Sequence, residues 1–302
     1  MTVRRILGIL ILWLASACPL LAQEQNESHN IADFFYISDT YPDITFSLSY
    51  DNDIGDWLVT MLIPGNSAEN FRIEQLYWAN GCMLPLEELE NKDKYCPVLY
   101  SYPQELEDPA HFTEEQKEAI KRDSSAENRK DGAGAPMFLF DAIYDSKTRK
   151  SLETHLVRTK FLGHATTVHE RIKEPLKRVE ERIRALEKSN KAVRTFISEI
   201  RSTDAYLWRI IAGTTRKSFH SLGIAMDILP TSQHGKQIFW SWAKEKYPET
   251  WMLIPLSKRW MPPKEVIRIF EEEGFVWGGK WTIYDNMHFE YHPELIYYNG
   301  LY

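Results

Sequence analysis

Cysteine is scarce in this sequence, with 3 residues in a chain of 302. Only Cys82 and Cys96 lie outside the N-terminal apolar stretch, and neither is near the His and Asp residues that stand out below. A cysteine-based metal site is therefore not expected. An even pair in an oxidising compartment is a candidate disulfide, whereas two buried free thiols are the alternative. We expect the two cysteines to be bonded in the exported protein.

An excess of positive charge is also missing, because the formal net charge is −7. The sequence has no basic patch of the kind that binds nucleic acid, so nucleic acid is not expected as a partner. It has no internal repeat and no low-complexity tract, and after the first residues no apolar run approaches a membrane-spanning length. The length suits one large domain or two modest ones.

The N-terminus has the composition of a secretory signal. A basic start at Arg4 and Arg5 is followed by an apolar run over residues 6–17 and by small residues. We expect residues 1–22 to be a signal peptide, cleaved after Ala22, with lipidation at Cys18 as the alternative. The protein is then exported to the periplasm or the outer surface, and its membrane tether, if it has one, is the signal region or Cys18.

Two regions of different character follow. Apolar and polar residues alternate over residues 44–50 and 57–63, with turn residues between them, and this pattern predicts a β-hairpin. We interpret residues 31–108 as a small β-rich unit of unknown role. Residues 109–136 are polar and charged and are typical of a linker or mobile loop.

A helical tract opens the remainder, residues 137–302. Apolar residues recur at three- and four-residue steps from Val168 to Leu186, and charged residues fill the other face, which predicts an amphipathic helix. The pattern resumes from Val193 to Ile200. We expect these helices to pack on a core.

The residues that carry chemistry lie in two segments near the C-terminus. Residues 218–227 read SFHSLGIAMD and residues 285–290 read DNMHFE. Together they offer two imidazoles and several carboxylates, and three such N/O ligands with one open position suit a catalytic zinc ion. If residues 223–228 and the segment around residue 288 are neighbouring strands, alternation points the side chains of Asp227 and His288 to one place together with His220.

These motifs resemble those of the VanX/VanY-type zinc peptidases of bacterial cell walls, which comprise D-Ala-D-Ala carboxypeptidases and L-Ala-D-Glu endopeptidases. The family motif S-x-H-x-x-G-x-A-x-D is followed by an acid three residues before a final histidine, and both parts are present here. Residues 274–281, GFVWGGKW, look like the endopeptidase branch. The resemblance covers about the last third to 45% of the chain, a span typical of one domain.

The resemblance implies roles for individual residues. It implies Zn²⁺ held by His220, Asp227 and His288, with Asp285 as the general base. Glu290 lies on the same face of its strand as His288, and it is either the alternative base, a partner that orients an imidazole, or a surface carboxylate.

The resemblance also implies an arginine ahead of the first histidine that grips substrate or stabilises the oxyanion. Arg209 stands at about the matching place, and Arg216 is closer to His220. Ser218 and Trp281 are the other candidate substrate contacts.

The sequence thus predicts an exported zinc metallopeptidase that hydrolyses a bond in the peptidoglycan stem peptide. The alternative is a non-catalytic, zinc-containing module that binds a wall peptide or a protein. We expect an α+β fold in which helices pack on a small antiparallel sheet that carries the zinc site, preceded by the β-rich N-terminal unit.

Overall fold

The computed structural model describes residues 30–65, 70–214 and 216–301. The predicted signal peptide and the lipidation candidate Cys18 lie outside the described residues. Within the part described, no helix is both long enough and apolar enough to cross a membrane.

The N-terminal region is an antiparallel meander, as the alternating pattern predicts. After the short helix α1 (Phe34–Ser38), four strands pair in chain order. The strands are β1 (Thr45–Asp51), β2 (Asp56–Pro64), β3 (Phe71–Ala79) and β4 (Cys82–Leu84). The β1–β2 turn forms because Asp51 Oδ1 accepts hydrogen bonds from the backbone N–H of Asp53 (3.0 Å) and Ile54 (3.2 Å).

Cys82 and Cys96 do not form the expected disulfide. Cys82 is a free, buried thiol whose Sγ lies 3.3 Å from the backbone carbonyl oxygen of Cys96. That prediction is wrong: the thiol reaches the carbonyl of residue 96, not its sulfur.

Short helices fill the stretch that the composition assigned to a linker or mobile loop. The first of them is held by a capping box, in which the side chains of Thr113 and Gln116 each accept a hydrogen bond from the other residue's backbone N–H at the helix start. Four short helices occupy this stretch and the residues after it: α2 (Glu114–Asp123), α3 (Ala126–Asp131), α4 (Phe138–Ile143) and α5 (Arg149–Leu152).

The predicted amphipathic helices are present and follow a two-stranded hairpin. Ile172, Leu176, Val179 and Ile183 are all buried along one face of the long helix, so its apolar stripe packs on the core. The elements are β5 (Leu156–Phe161), β6 (His164–His169), α6 (Glu170–Glu187) and α7 (Lys191–Glu199).

A second four-stranded antiparallel sheet forms the C-terminal region. Its strands are β7 (Ile200–Asp204), β8 (Ala225–Pro230), β9 (Phe275–Trp277) and β10 (His288–Tyr291), in the spatial order β7-β8-β10-β9. The accompanying helices are α8 (Trp240–Lys246), α9 (Lys264–Glu272) and α10 (Pro293–Tyr298). The last strand in sequence therefore lies inside the sheet. The molecule has the predicted α+β architecture.

The two sheets share one hydrophobic core. Met61 and Trp78 of the N-terminal sheet belong to the same buried cluster as Phe270 and Phe289 of the C-terminal region. A hydrogen bond also joins the two regions: the Tyr102 hydroxyl donates to Glu271 Oε1 at 2.6 Å. The C-terminal site is therefore built against the N-terminal unit.

Candidate active site

Asp227 and His288 meet because they are cross-strand partners. In the antiparallel pairing of β8 with β10, Asp227 lies opposite His288 and Met226 lies opposite Phe289. Alternation sends the two polar side chains to one face of the sheet and the two apolar ones into the core, where Phe289 is fully buried. The predicted convergence of two neighbouring strands is confirmed.

His220 reaches the same point from a short 3-10 helix, Phe219–Leu222, just before β8. Gly223 ends this helix with φ 70°, a left-handed conformation that favours glycine, and a Cβ there would lie 2.9 Å from the backbone nitrogen of His169. The hydroxyl of Ser218 caps the helix by accepting from His220 N (3.3 Å). Ser218, predicted as a substrate contact, is buried and helps to place His220.

Hydrogen bonds fix which nitrogen of each histidine faces the cluster. His220 Nδ1 donates to the carbonyl oxygen of Ala205 (2.6 Å), which leaves Nε2 directed at Asp227 Oδ1 (3.3 Å). His288 Nε2 donates to Glu290 Oε1 (2.8 Å), which leaves Nδ1 2.8 Å from the same Asp227 oxygen. The partner of each outer nitrogen thus orients the inner one, as is usual for metal-binding histidines.

The three inner atoms form a compact set of donors. They all lie within 4.8 Å of one another, and the two imidazole nitrogens are 3.2 Å apart. Burial opposes a charge on His288, but Asp227 and Glu290 outweigh it and raise the pKa of His288 well above its ordinary value. The cluster therefore attracts positive charge, and a divalent cation can take the place of that proton. Two imidazole nitrogens and one carboxylate oxygen fit zinc.

Asp285 lies beside this cluster with one oxygen uncommitted. Among the described residues, its buried Oδ1 has no hydrogen-bond partner. Burial, opposed by His288 and reinforced by Asp227, raises the pKa of Asp285 to about 7. A carboxyl with that pKa exchanges protons near neutral pH, as a general base must.

Both carboxylate oxygens of Glu290, in contrast, accept hydrogen bonds. Its Oε1 accepts from His288 and its Oε2 accepts from His292 Nε2 (3.2 Å). Burial alone would favour the neutral acid, but these two histidines lower the pKa of Glu290 to about 2. Of the three readings open for Glu290, the geometry corresponds to orientation of an imidazole.

The two candidate arginines differ in what they contact. The guanidinium of Arg216 donates to the backbone oxygens of Ala133 (3.3 Å) and Arg129 (3.1 Å), and burial lowers its pKa. Arg216 thereby anchors its loop to the helical segment around α3. The backbone N–H of Arg209 donates to Ser221 Oγ (2.9 Å), whereas its side chain is exposed and makes no hydrogen bond to another described residue.

The aromatic residues near the site also separate into two kinds. Trp281 is half-buried, and its ring lies 5.7 Å from the imidazole of His288 between centroids. Trp277 and Tyr284 are fully buried core residues. Trp281 is thus the tryptophan in position to wall the site.

Sequence reasoning missed His292, Glu294 and Tyr41. His292 and Glu294 continue the hydrogen-bonded series that begins at His288 and Glu290. A signal was available, since the four residues recur at every second position. Tyr41 could not have been found in this way, because it lies in the distant N-terminal unit.

The comparisons with known proteins agree with this geometry. A family described as D-alanyl-D-alanine carboxypeptidase matches residues 212–291, which include all three predicted ligands and Asp285. This segment of the chain is thus similar to the D-alanyl-D-alanine carboxypeptidase family, in agreement with the resemblance that its motifs carry. A second family, described as a domain of unknown function, matches residues 33–100. No curated protein and no solved structure matches the chain.

Proposed function

We propose that the chain is an exported zinc peptidase that cleaves a bond in the stem peptide of peptidoglycan. The observation that carries the proposal is the convergence of His220, Asp227 and His288 beside the uncommitted carboxyl of Asp285, inside the segment that matches the peptidase family. The predicted signal peptide supports the proposal, because this substrate lies outside the cytoplasm.

The side chains present can perform the steps of peptide hydrolysis. A zinc ion held by the three ligands would supply a Lewis acid that polarises the scissile carbonyl and acidifies water. Asp285 accepts a proton from the attacking water at its free Oδ1 and returns it to the leaving amine. Glu290 keeps the ring of His288 in place through its 2.8 Å hydrogen bond.

An exposed arginine completes the proposed arrangement. The planar guanidinium of Arg209 is free to pair with a carboxylate of the substrate or with the oxygen on which negative charge develops. Trp281, beside His288, offers an apolar wall for the peptide. Arg216 contributes indirectly, since it fixes the loop that leads into His220.

The test is incubation of the zinc-loaded protein with purified muropeptides, followed by mass spectrometry of the products. Loss of a terminal D-alanine identifies the carboxypeptidase reaction, whereas cleavage between L-Ala and D-Glu identifies the endopeptidase reaction. The Asp285→Asn variant is the matched control. Binding of the muropeptides without any product would reject the enzyme in favour of a non-catalytic wall-peptide module.

A further inference from the structure

Four titratable side chains at alternate sequence positions are buried where β10 leads into α10. His288, Glu290, His292 and Glu294 are exposed by 7%, 9%, 3% and 0%. Burying carboxylates is costly unless each one is paired and hydrogen-bonded. Only two of these four residues belong to the site described above, so the other two need an explanation.

A continuous hydrogen-bonded chain supplies the pairing. Glu290 joins His288 to His292, and His292 Nδ1 then donates to Glu294 Oε1 (2.8 Å). The other oxygen of Glu294 accepts from the hydroxyl of Tyr41 at 2.9 Å. Four hydrogen bonds thus run from a predicted metal ligand to the N-terminal unit.

Two carboxylates share the imidazole of His292. Both ring nitrogens of His292 face carboxylates, so the imidazole acts as a double donor. Burial opposes its charge, but Glu294 and Glu290 raise the pKa of His292 to about 9. Burial and Glu294 also raise the pKa of Tyr41 well above its ordinary value, so its hydroxyl keeps the proton that it donates.

Close packing leaves this hydrogen-bonded series little freedom to move. The ring of His292 packs edge-to-face against Phe140 (5.2 Å between centroids) and Phe219 (4.6 Å). Tyr41 is 4% exposed. In such a dry, packed setting, hydrogen bonds are stronger and more directional than they are in water.

We infer that Tyr41 and Glu294 are positioning residues of the metal centre. They hold His292 and Glu290 in place, so that His288 keeps its Nδ1 directed at Asp227 and His220. This gives the N-terminal unit a role in the chemistry of the C-terminal domain. The inference rests on the proposed function, because it assumes that these ligands bind zinc.

We call the hydrogen-bonded series from Tyr41 through Glu294, His292 and Glu290 to His288 the tether. Tyr102 offers a control for it. Tyr102 also lies in the N-terminal unit, is 2% exposed and donates to a buried glutamate of the C-terminal region, Glu271, at 2.6 Å. Within the described residues, Glu271 contacts Tyr102 and Lys280, and no hydrogen bond leads from it to the three ligands. Tyr41→Phe and Tyr102→Phe each remove one tyrosine hydroxyl from a buried glutamate. The Tyr102 hydroxyl also accepts from the backbone N–H of Trp277 (2.9 Å), so its loss disturbs the C-terminal region at least as much, but only Tyr41 belongs to the tether.

The first experiment measures the zinc affinity of the full chain by competition with a chromophoric chelator. We expect Glu294→Gln to weaken affinity by about tenfold, as the loss of an outer-sphere partner does. Tyr41→Phe should weaken it by roughly fivefold, the factor that corresponds to one ordinary hydrogen bond. Tyr102→Phe should leave it unchanged. The visible spectrum of the cobalt-loaded protein reports ligand geometry. It should change most in Glu294→Gln, less in Tyr41→Phe and not at all in Tyr102→Phe.

The second experiment uses metal-free protein and the imidazole ¹⁵N and N–H NMR signals of His288. These signals should shift in Glu294→Gln and in Tyr41→Phe but not in Tyr102→Phe. The inference is overturned if the first two variants leave affinity, spectrum and His288 signals as in the wild type, or if Tyr102→Phe changes them equally. A wild-type protein that binds no zinc would refute the proposed function, while the NMR comparison would still decide whether the tether orients His288.

Discussion

The two four-stranded sheets of this molecule are built on different principles. In the N-terminal sheet every strand pairs with its neighbour in sequence, from β1 to β4. In the C-terminal sheet, β10 lies between β8 and β9, so residues far apart in sequence become cross-strand partners. The first arrangement follows from local patterns, whereas the second depends on long-range packing.

The two regions also differ in what they bury. Among the described residues from 30 to 108, no acidic, basic or histidine side chain is buried, whereas the C-terminal region buries the series from His288 to Glu294. The N-terminal unit contributes apolar packing and the hydroxyls of Tyr41 and Tyr102. The difference indicates that one region supplies support and the other supplies the charged groups of the site.

The largest effect is expected from Asp285→Asn. The amide preserves size but cannot accept a proton, so peptide cleavage should fall by about a hundred- to ten-thousand-fold, the usual contribution of a general base. Zinc content should be unchanged. Cleavage is measured on muropeptides by mass spectrometry.

The control for this variant is Asp53→Asn, at the exposed turn of the N-terminal sheet, which should keep wild-type turnover. Glu290→Gln should act mainly on zinc affinity, by about 10- to 100-fold. Near-normal cleavage by Asp285→Asn together with an inactive, zinc-loaded Glu290→Gln would assign the base to the other carboxylate.

The shared core predicts that both regions unfold together. Met61→Ala in the N-terminal sheet and Phe289→Ala in the C-terminal sheet each remove a fully buried side chain. We expect losses of about 2–5 and 3–5 kcal/mol in the free energy of unfolding. Both variants should shift a single calorimetric transition. Two transitions, with each variant shifting a different one, would show that the sheets are independent domains.

The buried imidazole of His292 makes stability depend on pH. Its pKa is raised in the folded state to about 9, above the ordinary value of 6.5. Its contribution is therefore complete below the unfolded pKa and is lost as pH rises through the folded one, with a size on the order of a few kcal/mol. Urea unfolding of metal-free protein should show this loss between pH 6.5 and 9. His292→Gln should flatten the decline, and an unchanged decline would remove His292 as its source.

The smallest effect concerns Cys82. Burial raises the pKa of its thiol to about 12, so the folded protein should not react with a thiol reagent at this position. After denaturation without reductant, mass spectrometry should find the Cys82 peptide labelled. An unlabelled Cys82 peptide would instead support the disulfide that the sequence predicts.

The sequence predicts the N-terminal hairpin well because both strands and their turn are encoded within residues 44–63. Alternation defines the strands, and Asp51 and Gly55 define the turn. The sequence also predicts that Asp227 and His288 share a face, since alternation needs only the assumption that their strands are neighbours.

Features that depend on distant packing were not predictable in this way. The polar composition of residues 109–136 indicates a linker, yet capping and contacts with the C-terminal loop accompany helices there. Its place in the sequence makes Arg216 a candidate substrate contact, but its guanidinium donates to the backbone carbonyl oxygens of Arg129 and Ala133. The link from Glu294 to Tyr41 joins residues that no local pattern connects.

The most direct test of this account is the zinc content of the purified full chain, measured by elemental analysis. We predict about one equivalent in the wild type and in the control variant His234→Ala, an exposed histidine outside the site, because three protein ligands define a single zinc position. The His288→Ala variant, which removes a ligand, should retain almost none. A wild type without zinc, or stoichiometric zinc in His288→Ala, would contradict the claim that His220, Asp227 and His288 form the metal centre.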